Sequence, residues 1–254
     1  MRKIVTVRNV KIGEGIPKIC VPIVGTTKEE IVAQAKALKG VNADLVEWRV
    51  DWFEGVFDLG AVKEAAKALR EVVKEMPILF TFRTSKEGGE RAIKTEAYVT
   101  LNKEMAASRL IDLVDVQLFT GDVQVQEIIE VAHKNGVSVI ASNHDFEKTP
   151  PKEEIIARLL KMQQLGADIL KIAVMPTSKR DVLELLLATN EMYENYAKQP
   201  IITMSMAGMG VISRLAGEVF GSALTFGAVK KASAPGQIAV KELGEVLEVL
   251  HRSI

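Results

Sequence analysis

The sequence predicts an α/β protein, and within that class a (β/α)8 TIM barrel with an N-terminal β-hairpin closing the barrel floor. Three observations predict it. Eight short, β-rich apolar runs alternate with eight longer amphipathic stretches, and no Pro-, Gly- or Ser-rich linker interrupts the alternation. The 254 residues match the roughly 250 that one such barrel occupies. Strand-then-helix order requires parallel strands joined by helical crossovers, and eight units favour closure over an open doubly wound sheet. The expectation is one domain over residues 1–254.

The elements follow in order. Residues 1–16 read as the hairpin, from alternating Ile4, Val5, Val7 and Val10 and a turn over 13–15. Strands are expected at 18–23, 44–51, 77–83, 113–118, 137–144, 168–174, 200–206 and 223–229. Helices are expected at 28–39, 59–75, 90–109, 123–134, 152–165, 179–196, 213–220 and 238–251. Thr26-Thr27 supplies a cap for the first helix and Thr149, before Pro150-Pro151, one for the fifth, while Asn135-Gly136 and Leu165-Gly166 are stop signals.

Composition narrows the function classes. Lys and Arg number 33 against 33 Asp and Glu, a formal net charge of zero. No basic excess is present to displace counterions from nucleic acid or to seat the chain on anionic lipid, so neither is an expected partner. The one cysteine, Cys20, has no second thiol for a disulfide or a metal knuckle, which points to a reducing compartment. Residues 1–10 mix Arg2, Lys3, Arg8 and Asn9 into short apolar stretches, unlike a signal peptide, and no run approaches the ~18 apolar residues of a membrane span. The expected location is the cytoplasm.

Burying a charge is costly unless it is paired or functional, so charges within apolar strands mark candidate chemistry. In a barrel the C-terminal strand ends form the active-site face. Glu47 and Arg49 lie in Leu45-Val46-Glu47-Trp48-Arg49-Val50-Asp51, Arg83 follows Phe80-Thr81-Phe82, His144 sits in Ser142-Asn143-His144-Asp145, and Lys171 in Ile169-Leu170-Lys171-Ile172-Ala173-Val174. Side chains alternate along a strand, so Ile169, Lys171 and Ala173 share the inner face and Leu170, Ile172 and Val174 the outer. Inside the barrel, desolvation and a nearby cation such as Arg49 or Arg83 would favour a neutral lysine, a nucleophile for carbonyls. The alternative is a structural lysine paired with Glu47. His144 falls one strand before Lys171 and is placed for proton transfer, whereas His133 and His251 lie towards helix ends, where structural roles are expected.

Other readings stand beside these. Glu47, Asp51, Asp115 and His144 are candidate metal ligands, opposed by neighbouring arginines and by the lack of paired-histidine spacing. Ala207-Gly208-Met209-Gly210 before Ser213-Arg214 suits a phosphate, as in a class I sugar-phosphate aldolase, while an arginine there serves a carboxylate equally well. Met204 and Met206 read as packing or a pocket wall. Ser233-Ala234-Pro235-Gly236-Gln237 reads as a lid or an ordinary turn. A non-catalytic small-molecule-binding barrel is a third possibility.

Taken together, Glu47-Trp48-Arg49-Val50-Asp51, Thr81-Phe82-Arg83, Asn143-His144-Asp145-Phe146, Leu170-Lys171-Ile172-Ala173, Met204-Ser205-Met206-Ala207-Gly208, Ser213-Arg214 and Ser233-Ala234-Pro235-Gly236-Gln237 resemble the type I 3-dehydroquinate dehydratase family of the shikimate pathway. The resemblance covers essentially the whole chain. It implies dehydration of 3-dehydroquinate to 3-dehydroshikimate through an imine on Lys171, with His144 as general base and acid and Glu87 orienting His144. It implies substrate binding by Glu47, Arg49, Arg83, Arg214, Ser233 and Gln237. The implied pocket wall is Phe146, Met204, Met206, Phe226 and Ala234. No metal or organic cofactor is implied, and a homodimer is.

Overall fold

The computed structural model describes residues 3–229 and 235–254. Its barrel strands are β3 (Lys18–Ile23), β4 (Leu45–Arg49), β5 (Ile78–Thr81), β6 (Leu113–Gln117), β7 (Ser138–Asp145), β8 (Ile169–Val174), β9 (Ile201–Ser205) and β10 (Leu224–Ala228), preceded by the hairpin strands β1 (Val5–Val7) and β2 (Val10–Ile12). All barrel pairings from β10 through β3 to β9 are parallel. The seam between β9 and β10 is the lightest: one parallel bridge joins Ile201 and Ser222 among the described residues, reinforced by Ala223 N–H donating to the Ile201 carbonyl at 2.8 Å.

Period-two alternation sorts the side chains. Leu170, Ile172 and Val174 join the large apolar layer between barrel and helices, whereas Ile169 and Ala173 join the interior with Cys20, Leu45, Leu79, Leu113 and Ile202. The hairpin contributes Val5, Val7, Val10 and Ile12 to that same interior cluster, so it seals the floor as expected. Ile4, read as part of the alternation, is instead exposed, and Ile12 is wholly buried because Val5 pairs with Ile12 across the hairpin.

A repeated device orders the floor. Asp44, Asp112 and Asp168 stand directly before β4, β6 and β8, and each carboxylate accepts an N–H at the start of the preceding strand, from Ile19 at 2.7 Å, Ile78 at 2.8 Å and Val139 at 2.9 Å. Ser222 takes the fourth place before β10, its hydroxyl accepting Thr203 N–H at 3.0 Å. These acceptors pin the register of neighbouring strands where no ladder partner remains.

The helices are α1 (Lys28–Lys36), α2 (Leu59–Val73), α3 (Thr95–Ala107), α4 (Asp122–Lys134), α5 (Lys152–Gln164), α6 (Lys179–Asn195), the short α7 (Val211–Leu215) and α8 (Gly217–Phe220), and α9 (Val240–His251). Thr27 caps α1 as expected, and Ser178 with Asp181 forms a capping box on α6. Four expectations are corrected. The helix read as 90–109 begins at Thr95, because tertiary bonds claim the preceding stretch: Glu90 N–H and the Arg91 guanidinium both donate to Asp51. The helix read as 213–220 is broken at Ala216 into α7 and α8, and residues 238–239 pair with β10 as a short strand β11 (Ile238–Ala239) before α9 begins. Thr149 does not cap α5; its hydroxyl donates to the Met175 carbonyl at 3.0 Å.

Candidate active site

The C-terminal ends of the strands surround an open cleft of about 460 Å³, counting its mouth. Glu47 and Arg49 reach it from β4, Arg83 from just past β5, Glu87 and Gly88 from the turn that follows, His144 from β7 with Phe146 beyond it, and Lys171 and Ala173 from β8. Met204 lines it from β9, Met206 from just past that strand, Arg214 from α7, Phe226 from β10, and Gln237 from beyond the loop after β10. Every expected site residue among the described ones is therefore brought to one place. Ser233 and Ala234 lie outside the described residues.

Lys171 is the buried centre. Its Nζ lies 3.7 Å from Glu47 Oε1, 3.6 Å from Asp115 Oδ2 and 4.4 Å from the centroid of the Phe226 ring. The charges closest in this arrangement are carboxylates, where an arginine was expected; Arg83 instead reaches the other oxygen of Asp115, at 2.8 Å. The pairing with Glu47, weighed as a purely structural role, is present, and the same lysine faces the cleft.

His144 is held on two sides by one carboxylate. Glu87 Oε2 accepts its backbone N–H at 2.9 Å and lies 3.2 Å from its Nδ1. Burial, followed by the positive charges of Arg83, Lys171 and Arg49, holds the imidazole well below its usual pKa, so it is a neutral base at pH 7. Burial raises the Glu87 carboxyl above its ordinary value despite the opposing pull of Arg83. His133 and His251 pair with Asp168 and Glu218, both at 2.8 Å or less, and neither lines the cleft.

The cations differ in how they are satisfied. Arg49 forms a fork to Asp51, with Nε to Oδ1 and Nη2 to Oδ2 both at 2.8 Å. Arg83 faces Asp115 and Glu87 and donates to Ser142 Oγ at 2.9 Å. Although burial opposes its charge, these carboxylates raise its pKa. Arg214 is different: only 1% exposed, it pairs with no carboxylate among the described residues, its Nε has no hydrogen-bond partner, and its Nη2 donates to the Pro235 carbonyl at 3.0 Å. Burial alone lowers its pKa to about 10. A buried guanidinium without a counterion is a receptor for an anion.

The residues weighed as metal ligands are engaged otherwise: Asp51 by Arg49, Asp115 by Arg83 and Lys171, Glu47 by Lys171 and by the Thr81 hydroxyl at 3.0 Å, and His144 by Glu87. The glycine-containing loop after β9 has a packing reason, since a Cβ on Gly210 would fall 2.2 Å from the Ser205 carbonyl oxygen. Sequence reasoning weighed Asp115 only as a metal ligand and missed Gly88. Asp115 is a charge on the inner phase of an apolar strand, the same signal that singled out Lys171. Gly88, at φ +79°, leaves room for the Phe146 ring, which a Cβ would meet at 2.3 Å; Gly88-Gly89 after Glu87 was its trace in the sequence.

Comparison with known proteins agrees with this geometry. The family model for type I 3-dehydroquinase matches residues 19–254. Two curated relatives called 3-dehydroquinate dehydratase, from Clostridium botulinum (strain Eklund 17B / Type B) and Clostridioides difficile (strain 630), are 61% and 59% identical over 254 residues, each covering 100% of both chains. A solved type I 3-dehydroquinate dehydratase from Clostridium difficile, described with covalently modified comenic acid, superposes with a TM-score of 0.98 at 59% identity over 100% of both chains. The 3-dehydroquinate dehydratase structure from Enterococcus faecalis gives 0.91 at 48% identity, covering 96% of this chain and 98% of that one. With the family's motifs gathered in one cleft and relatives alike from end to end, the chain belongs to the type I 3-dehydroquinase family.

Proposed function

We propose that Lys171 is the residue through which this chain, as a type I 3-dehydroquinase, dehydrates 3-dehydroquinate to 3-dehydroshikimate. One observation carries the reading: Lys171, a neutral His144 and an Arg214 with no carboxylate partner among the described residues line the same cleft. Lys171 Nζ attacks the C3 carbonyl, whose oxygen leaves as water as the iminium forms. His144 takes a proton from C2, and the electrons of that C–H bond move into the iminium to give an enamine. The enamine expels the C1 hydroxyl, which accepts the imidazolium proton and leaves as water. A further water hydrolyses the iminium, releasing 3-dehydroshikimate and the amine.

The remaining residues bind and orient. Arg214 takes the substrate carboxylate in its fork, and Glu47, Arg49 and Arg83 hold ring hydroxyls. Glu87 orients His144, as its double contact with that residue supports. Ser233 and Gln237 close over the substrate, and Phe146, Met204, Met206, Phe226 and Ala234 form the apolar wall. The proposed steps need no metal or organic cofactor. No described helix is long and apolar enough to cross a membrane. We place the protein in the cytoplasm as a homodimer; Leu183 and Leu187, exposed one turn apart on α6, support a face for a second copy.

Borohydride trapping with 3-dehydroquinate, read by intact mass and peptide mapping, tests the reading. A substrate-derived mass on the peptide holding Lys171 is expected. An adduct elsewhere, or turnover by Lys171→Ala, overturns it.

A further inference from the structure

We infer that Asp115 is the fixed counterion of the iminium formed on Lys171, keeping the proton on its nitrogen while C2 is deprotonated. The inference rests on Lys171 being the imine-forming residue.

Asp115 is wholly buried and does not line the cleft, so substrate does not reach it. Its Oδ1 is anchored twice, by the Ser142 hydroxyl at 2.6 Å and by Arg83 Nη2 at 2.8 Å. Its Oδ2 has no hydrogen-bond donor among the described residues and lies 3.6 Å from Lys171 Nζ. One oxygen is thus held and the other is aimed at the reacting nitrogen. Burial pushes this carboxyl up, but Arg83, Lys171 and Ser142 outweigh it and hold it below the usual carboxylate range, so it stays an anion at working pH.

An imine withdraws electrons from its neighbouring carbon far better when protonated, and a buried anion beside the nitrogen favours the protonated form. Arg49 and Arg83, whose positive charges reach His144 in the same cleft, oppose it, while the face of the Phe226 ring, 4.4 Å from Nζ, favours a cation there. Tyr98, packed from α3, offers its hydroxyl to the Asp115 carbonyl and contributes no positive charge. Glu47 is the other carboxylate near Nζ, at 3.7 Å, but it lines the cleft and accepts the Thr81 hydroxyl. Its charge is shared with substrate, whereas Asp115, paired with Arg83 through Oδ1, keeps Oδ2 facing the lysine.

The test compares the wild type, Asp115→Asn and Glu47→Gln in kcat against pH and in borohydride trapping at saturating 3-dehydroquinate. Asp115→Asn keeps the shape and removes the charge. Its alkaline limb in kcat is expected to move down by about one unit or more, a loss of at least about tenfold at the pH where the wild type begins to fall, with trapping on the Lys171 peptide retained at pH 6 and reduced at pH 9. A variant that only loosened packing would lose activity by the same factor at every pH, and that result overturns the inference. So does an unchanged alkaline limb, or a limb that moves in Glu47→Gln and not in Asp115→Asn. Should Asp115→Asn fail to fold, Ser142→Ala, which removes a donor from Oδ1 and leaves the charge in place, is expected to keep the alkaline limb at or above its wild-type position; a downward shift overturns the inference. Failure of the wild type to be trapped at Lys171 would instead refute the imine assignment itself, so the two failures are distinguishable.

Discussion

Glu87 Oε2 contacts His144 twice, at the backbone N–H and at Nδ1, and so fixes the ring's position and its orientation with a single atom. The arrangement leaves Nε2 as the ring nitrogen available to a substrate carbon. It also couples a carboxyl shifted up by burial to an imidazole shifted down by burial and three cations.

Removing the imidazole separates imine formation from elimination. His144→Ala is expected to lower kcat by roughly 10²–10⁴-fold, the contribution of general acid–base catalysis, while borohydride still captures substrate on Lys171. Rapid-quench trapping beside steady-state turnover checks this; loss of the trapped species together with turnover would assign His144 to imine formation instead.

The pH profile follows from the sign of the His144 shift. A pKa well below the usual 6.5 means that the free base persists as pH falls through neutrality, so kcat/KM should stay level from pH 8 to 6.5 and decline only below it. An acid limb centred at or above 6.5 contradicts a neutral, buried base. The same sign appears in stability. The unfolded histidine takes up its proton near 6.5 and the folded one resists it, so this group subtracts stability progressively as pH drops below that point.

Among the described residues Arg214 has no carboxylate partner to lose. Arg214→Ala should therefore fold well and raise KM by about 10–100-fold, the worth of a charged hydrogen-bonded pair at about 1.5–3 kcal/mol. Arg214→Lys should recover only part, because a single ammonium does not reproduce the fork. An unchanged KM in both variants would remove the carboxylate from Arg214.

Asp112 carries the floor. It accepts Ile78 N–H at 2.8 Å, pairs with Arg8 of the hairpin at 2.6 Å, and pairs with Arg70 of α2. Asp112→Ala leaves a buried N–H and two guanidiniums short of a partner and should cost about 2–4 kcal/mol of stability. A lower denaturant midpoint at unchanged slope, with kcat intact, is the expected outcome; lost activity at full stability would contradict a role confined to the floor.

Much of this protein is legible in its linear order. The alternation Ile169-Leu170-Lys171-Ile172 assigns Lys171 to the interior because a strand's side chains point to opposite faces whatever surrounds them, and the eightfold repeat of strand and helix leaves few ways to close. The charged residues of those strands were visible for the same reason, since a charge in an apolar run has few places to go. Tertiary structure decided which charge meets which. Asp115, Arg83 and Lys171 come from three strands separated by helices, and only barrel closure shows that Asp115 holds Arg83 with one oxygen and faces Lys171 with the other. It likewise decided where α3 begins, because Asp51, some 40 positions earlier, ties down the preceding stretch through the Glu90 N–H and the Arg91 guanidinium. Local periodicity specifies the face a side chain occupies, and the partner on that face depends on the stagger of neighbouring strands, which is a property of the closed barrel.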